Sequence, residues 1–430
     1  MKKRHIFKVI SAFSTQAAGI GFSFLFNVML ARLLGSNDTG IYFLALTILS
    51  ICATIARLGL DNAILRFAAV AQNQGQQTAL SALHRKSVGL VVVTGVCVMF
   101  FAWYITPYLP IGRGLERGLQ DVLPIMLLAI VPTALILLQG EFFKAVGKTS
   151  TAIFVQAVLL PMFLVLGVLY HLLQGKATFH NIVLLYTISA TISALLAILI
   201  WCMAKPRPWK KPGYFDMRLL LRTSVPLLWV ALMSMLMSWT DILVLGVWTD
   251  SSMVGIYGIA SRIAALTAVV LMVGNAIVAP RFAALYSADR HDELQRLAQR
   301  SAGWTLLVSS PIILLMLFFP EFLLQLFGSD FVEGATILRI LALGQIVNVA
   351  MGSVGYLLMM TGNQQLMRNN IVASALLNLI GNLLLVPAFG VCGAAVSTAF
   401  ALAFMNIVSF LMVNKKLRIN TMGYLFRGSP

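Results

Sequence analysis

Charge is scarce in this chain: Asp, Glu, Lys and Arg make up 10% of its 430 residues, against about 25% in ordinary soluble domains. With 60% of the residues hydrophobic, a soluble globular domain is excluded. Histidine (5) and cysteine (4) are thin as well. Cys52, Cys97, Cys202 and Cys392 show no paired CxxC spacing, so neither a disulfide nor a zinc site is expected. No GxxxxGK[ST] loop occurs, which argues against ATP-driven transport by this chain alone. The longest outer connections, near residues 108–120 and 320–334, hold only about a dozen residues each. A polymerase acting on sugars would need a large polar loop there, and a glycosyltransferase would need a nucleotide-sugar domain, so the chain is not expected to be an enzyme.

What is present is apolar helix. At roughly 20 apolar residues per crossing, the chain reads as an all-α polytopic membrane protein with about twelve transmembrane helices. They fall near 9–34, 40–69, 88–107, 121–143, 152–173, 181–204, 219–247, 254–284, 303–319, 335–361, 369–387 and 391–413. The stretch from Asn382 to Ala395 joins the last two by a corner at Pro387 and Gly390, the one place where the backbone can turn at the surface. Gly393, Ala394 and Ala395 then allow close helix packing. The first span is too long, and too polar at Gln16 and Asn27, to read as a cleaved signal peptide.

The net charge of +17 would suggest nucleic acid in a soluble protein, but here the basic residues sort by side and no nucleic-acid partner is expected. Of 31 Lys and Arg, 23 fall in segments on the side of the N-terminus and three (Arg113, Arg117, Lys176) on the other. The positive-inside rule therefore puts both termini in the cytoplasm, in contact with membrane lipids. The basic linker 205–218 separates a first six-helix bundle, 1–204, from a second, 219–430. The halves echo each other: Leu34-Gly35 then Gly40-Ile41-Tyr42, and Leu245-Gly246 then Gly255-Ile256-Tyr257. An even number of spans per half makes this a parallel repeat.

Charge inside helices is costly and is kept where it faces protein or water. Arg57 and Asp61 are four residues apart, one helical turn, and read as an ion pair, as a lining for a cavity, or as both. Asp241 and Arg262 lie at matching depths on adjacent spans, which allows either a structural pair or a cation-responsive gate built on Asp241. Arg32 and Arg339 lie near span ends, placed for snorkelling or for substrate contact. The excess of Arg over carboxylate favours an anionic substrate, whose phosphate oxygens a guanidinium holds bidentately. Gln16, Asn27, Gln139, Gln156, Asn275, Gln345, Asn348 and Asn378 are available for a hydrated path or for interhelical hydrogen bonds.

Ala31-Arg32-Leu33-Leu34-Gly35 to Gly40-Ile41-Tyr42, Leu58-Gly59-Leu60-Asp61 to Arg66-Phe67, Pro320-Glu321-Phe322 with Leu326-Phe327-Gly328, and Ile337-Leu338-Arg339 run through the chain in order. Together they resemble the Wzx-type polysaccharide-export flippases, in the superfamily that also holds multidrug extruders and peptidoglycan-precursor flippases. The resemblance implies a V-shaped pair of bundles working by alternating access in the bacterial inner membrane. Its substrate would be an undecaprenyl-diphosphate-linked oligosaccharide, the repeat unit of an O-antigen of lipopolysaccharide or of an exopolysaccharide. It implies Arg57, Arg66, Arg262 and Arg32 as substrate contacts and Asp61 and Asp241 as ion-coupling or gating groups. No cofactor is expected beyond a proton or sodium gradient, and a polysaccharide polymerase and chain-length regulator are partners consistent with the family. A cation-coupled multidrug exporter, or a membrane enzyme of polysaccharide assembly, are the alternatives.

Overall fold

The computed structural model describes residues 2–108, 116–175, 178–204 and 214–424, and among them every regular element is helical. Residues 205–213 of the basic linker, with Arg113, Lys176 and Arg427, lie outside the described residues. The chain forms two compact units, Met1–Met235 and Leu236–Pro430. The first holds α1 (Lys2–Ala56), α2 (Leu60–Asn73), α3 (Gln77–Ile105), α4 (Glu116–Leu127), α5 (Ile130–Ala145), α6 (Thr149–Ile153), α7 (Leu159–Leu173) and α8 (Phe179–Ala204). Helix α9 (Met217–Trp248) runs from the first unit into the second. The second continues with α10 (Ser251–Ser287), α11 (His291–Phe318), α12 (Pro320–Gln325), α13 (Ala335–Met351), α14 (Val354–Met360) and α15 (Gln364–Leu417).

Two of these helices are hairpins. A straight 54-residue helix would run about 80 Å, far beyond a hydrocarbon layer of about 30 Å. Instead α15 folds back at Gly390 (φ 55°, ψ −136°). Asn370 Nδ2 then reaches Ser409 Oγ at 2.9 Å, and Asn378 Nδ2 reaches Thr398 Oγ1 at 3.0 Å. Helix α1 folds back in the same way at Gly35 (φ 71°, ψ −177°), which brings the rings of Phe26 and Tyr42 to 6.1 Å. Among the described residues eight helices are long and apolar enough to cross a membrane, or ten when two bent pairs are joined. Counting each hairpin as two crossings gives the twelve that the sequence predicts.

The corner itself is tighter than expected. Pro387 sits inside the helix and Gly390 alone makes the turn. The small run beyond it packs on its own hairpin partner: a Cβ on Gly393 would lie 2.3 Å from the Leu385 carbonyl oxygen. The dihedrals of Gly390 belong to a region that side-chain-bearing residues avoid, while a Cβ there would meet nothing within 4 Å. Gly390→Ala therefore isolates backbone strain and is expected to destabilise the protein by about 1–3 kcal/mol. Thermal unfolding in detergent measures it, and an unshifted midpoint would contradict the assigned corner.

Several spans expected to be continuous are broken, because hydropathy locates apolar mass but not the places where the helical ladder opens. The span expected over 40–69 breaks at Arg57, Leu58 and Gly59, with Leu58 at φ 49° and Gly59 at φ 69°. Gly59 abuts the backbone of α9, where a Cβ would lie 2.3 Å from the Ser224 carbonyl oxygen. The span expected over 121–143 bends by 48° between Gly118–Leu127 and Ile130–Ala145. That expected over 335–361 breaks at Gly352 (φ 69°). Between α6 and α7 lies a π-helical turn, Phe154–Val158. Its Gln156 Nε2 donates to Leu137 O (2.9 Å) and Glu141 Oε1 (3.1 Å), and Glu141 also takes Lys144 at 2.7 Å.

Candidate functional site

Two polar clusters stand out within the apolar helices, one in each unit. In the first unit the break after α1 places Arg57 at a helix end and Asp61 in the first turn of α2. Arg57 Nη1 forms an ion pair with Asp61 Oδ2. Its Nη2 donates to Thr54 Oγ1 at 3.0 Å and its Nε to the Ala53 carbonyl at 3.3 Å. The guanidinium is thus held on three sides, and the Arg57 side chain is only 11% exposed. Asp61 Oδ1 is buried with no hydrogen-bond partner among the described residues. A mostly buried pair with one spare acceptor oxygen is poised to take a donor or a cation.

In the second unit the centre is Asp241, 6% exposed on α9. Tyr257 of α10 donates its hydroxyl to Oδ2, as does Thr398 Oγ1 at 2.6 Å. Asn382 Nδ2 reaches Oδ1 at 2.7 Å and Asn378 Nδ2 at 3.3 Å. These donors occupy the four acceptor positions of an ionised carboxylate. Asn378 and Asn382 lie on the first arm of α15 and Thr398 on the second, tied together by Ser397 Oγ donating to Asn378 O at 2.9 Å. The side-chain oxygens of both asparagines are buried without a partner among the described residues. A proton arriving at Asp241 requires one of the two hydroxyls to turn from donor to acceptor, whereas a metal cation requires a donor to move aside, which would disturb the packing of the α15 hairpin on α9 and α10.

The expected pairing of Asp241 with Arg262 is not what the structure holds. Asp241 is bound by neutral donors, and Arg262 Nη1 donates to the carbonyl of Gly258 on its own helix at 3.0 Å. The reason is azimuth. Tyr257 faces Asp241, and five residues further along α10 is about 500° of rotation, or roughly 140° away from that face. Arg66 is exposed, its guanidinium 5.9 Å from the centre of the Phe67 ring. Arg32 is exposed close to the Gly35 corner. Arg339 bonds Glu321 at 2.7 Å and the Leu317 carbonyl at 3.2 Å, an anchoring role.

Tyr257, Asn382 and Thr398 are the contributors that sequence reasoning did not single out. Asn378 and Asn382, one turn apart in an apolar helix, carried a signal for a shared polar face. Tyr257 and Thr398 carried none by spacing alone. The repeat echo is real in burial, since Tyr42 and Tyr257 are both 1% exposed, yet Tyr42 packs against the rings of Phe26, Phe43 and Tyr186.

A family model described as polysaccharide biosynthesis protein matches residues 7–286. The chain belongs to that family. The match covers all of the first unit from residue 7 onward and reaches past Asp241 and Tyr257, and the resemblance drawn from the sequence motifs agrees with it. A second model, described as MatE, matches residues 226–384. Among curated relatives of the family member, the "Probable low-salt glycan biosynthesis flippase Agl15" of Haloferax volcanii is 25% identical over 401 residues, covering 93% of this chain and 81% of that one. Two solved structures share the fold at low identity. The lipid II flippase MurJ, in an inward closed conformation, superposes with a TM-score of 0.74 at 14% identity, covering 98% of this chain and 91% of that one. An inward-facing multidrug resistance MATE family transporter of the MOP superfamily gives 0.76 at 12% identity, covering 95% and 98%. This is a multi-pass membrane protein.

Proposed function

We propose that the protein is a flippase for a lipid-linked glycan. The observation that carries this is the match to a glycan biosynthesis flippase along 93% of the chain, and the family model over residues 7–286 supports it. The substrate is an undecaprenyl-diphosphate-linked oligosaccharide, moved by alternating access from the cytoplasmic to the outer leaflet of a bacterial inner membrane, with both termini cytoplasmic. The Arg57 and Asp61 pair supplies a desolvated guanidinium suited to a diphosphate, with Arg32, Arg66 and Arg262 as further basic groups along the path.

The Asp241 cluster is the coupling element in this reading. A single carboxylate with a hydroxyl and two spare amide oxygens suits a monovalent cation or a proton. No group of three or more His, Cys, Asp or Glu that could hold a multivalent metal occurs among the described residues. A polysaccharide polymerase and a chain-length regulator would act on the product.

Reconstitution into proteoliposomes with a fluorescent diphosphate-linked glycolipid tests both parts. Translocation is expected to require the diphosphate and to respond to an imposed proton or sodium gradient. Equal transport of a glycolipid lacking the diphosphate would overturn the substrate reading, and indifference to both gradients would overturn the coupling reading.

A further inference from the structure

At one end of the second unit a cavity of about 400 Å³ lies between the last turn of α10, the first turns of α11 and the end of α15 with the two residues that follow it. Tyr286, His291, Asp292, Gln295, Lys416 and Arg418 line it. Its size falls within the roughly 300–1,000 Å³ of small-ligand pockets. Neither Lys416 nor Arg418 has an ion-pair partner among the described residues. Of the acids near it, Asp289 holds His291 Nε2 at 2.9 Å, and Asp292, in the lining, sits in the first turn of α11, where the helix dipole offsets part of its charge.

The cavity is built rather than incidental. Arg418 adopts a left-handed conformation (φ 55°) and turns the chain back beneath α11. Ile419, 1% exposed, enters an apolar core with Phe282, Leu294 and Leu357. Beyond it Gln299 Nε2 donates to the Asn420 carbonyl at 2.8 Å and Thr421 Oγ1 to the Met351 carbonyl at 3.1 Å. The backbone that carries Lys416 and Arg418 is therefore pinned to its neighbouring helices, while both charged side chains are exposed.

We infer that this cavity binds the phosphate group of a lipid in the leaflet on the protein's basic side. It lies at the ends of α10 and α15, and Arg281, Arg290, Arg296 and Lys415 are within a few residues of its lining along the chain. Two unpaired cations with a tyrosine hydroxyl and an amide supply donors for phosphate oxygens. The partly exposed apolar side chain of Leu417 in its lining suits the glycerol and first methylenes of a lipid better than a fully hydrated ion. The site lies wholly within the second unit and does not depend on which glycan is carried.

The test uses the full chain in nonionic detergent, titrated with short-chain phosphatidic acid and followed by thermal stabilisation and native mass spectrometry. Lys416→Gln with Arg418→Gln is expected to weaken binding about 30-fold. Lys415→Gln with Arg300→Gln, which removes the same charge from exposed positions outside the lining, is expected to weaken it less than about threefold. Equal losses in the two pairs, or no loss in the first, would overturn the site. Full competition by inorganic phosphate at the same concentration would overturn the lipid assignment in favour of a soluble anion. If the first pair fails to accumulate, Lys416→Gln alone carries the test, with about a fivefold loss expected and an unchanged affinity counting against the site.

Discussion

Asp241→Asn is expected to remove the dependence of transport on the driving cation, a loss of coupling of roughly 5- to 150-fold, while the protein still accumulates in the membrane. The amide keeps the shape of the carboxylate and loses its charge. Its oxygen can go on accepting from Asn378 and Asn382, which reach Oδ1 at 3.3 and 2.7 Å. Its NH2 then faces the hydroxyls of Tyr257 and Thr398, which can rotate from donor to acceptor. Packing survives and the electrostatic attraction for a cation does not. Asp241→Ala is different, because it leaves four donors buried without an acceptor, at about 1–3 kcal/mol for each that cannot re-pair. The alanine variant should therefore show a lowered thermal midpoint and the asparagine variant should not. Proteoliposome transport under imposed proton and sodium gradients reads the first effect, and an asparagine variant that still responds normally to a gradient would end the coupling assignment.

Arg57→Ala is expected to destabilise the first unit strongly, by up to about 3–5 kcal/mol. It strands the Asp61 carboxylate, 24% exposed and already carrying one buried oxygen without a partner. Removing both partners should recover much of that loss, since Arg57→Ala with Asp61→Ala leaves no uncompensated charge. A double-mutant cycle on thermal stability measures this, and simple additivity would refute the pair. Arg57→Lys separates fold from transport. A lysine keeps the charge beside Asp61, but a single ammonium cannot reproduce the fork that also meets Thr54 Oγ1 and the Ala53 carbonyl. The lysine variant should be close to wild type in stability and clearly impaired in moving a diphosphate lipid. Wild-type transport by it would remove the bidentate role.

Arg57 with Asp61 was legible in the sequence because the contact is local: four residues of separation keep the two side chains within reach even though the helix breaks between them at Leu58 and Gly59. Asp241 with Arg262 was misread because depth along two helices gives height alone, and the direction around each axis is set by packing. The hairpin corners were visible from Gly35, which heads the polar run Ser36 to Thr39 between two apolar spans, and from Gly390, which follows Pro387 between two others. The break at Leu58 and Gly59 was not, since a leucine at positive φ has no sequence signature and follows from the contact of Gly59 with α9. Thr398 was invisible for a similar reason. It reaches Asp241 across 157 positions of sequence, through a fold-back whose register depends on a single residue.

That fold-back also decides how the Asp241 cluster can come apart. With only Gly390 between its arms, the α15 hairpin has no slack, and cross-arm bonds from Asn378 and Asn382 to Thr398 and Ser397 lace the two sides together. Three of the four donors to Asp241 therefore travel as one piece. A movement of the hairpin as a unit would part the cluster along a single seam, with Asp241 and Tyr257 on one bank and the whole hairpin on the other. If Asp241 is the coupling group, that seam would act as a snap fastener does, closed or open.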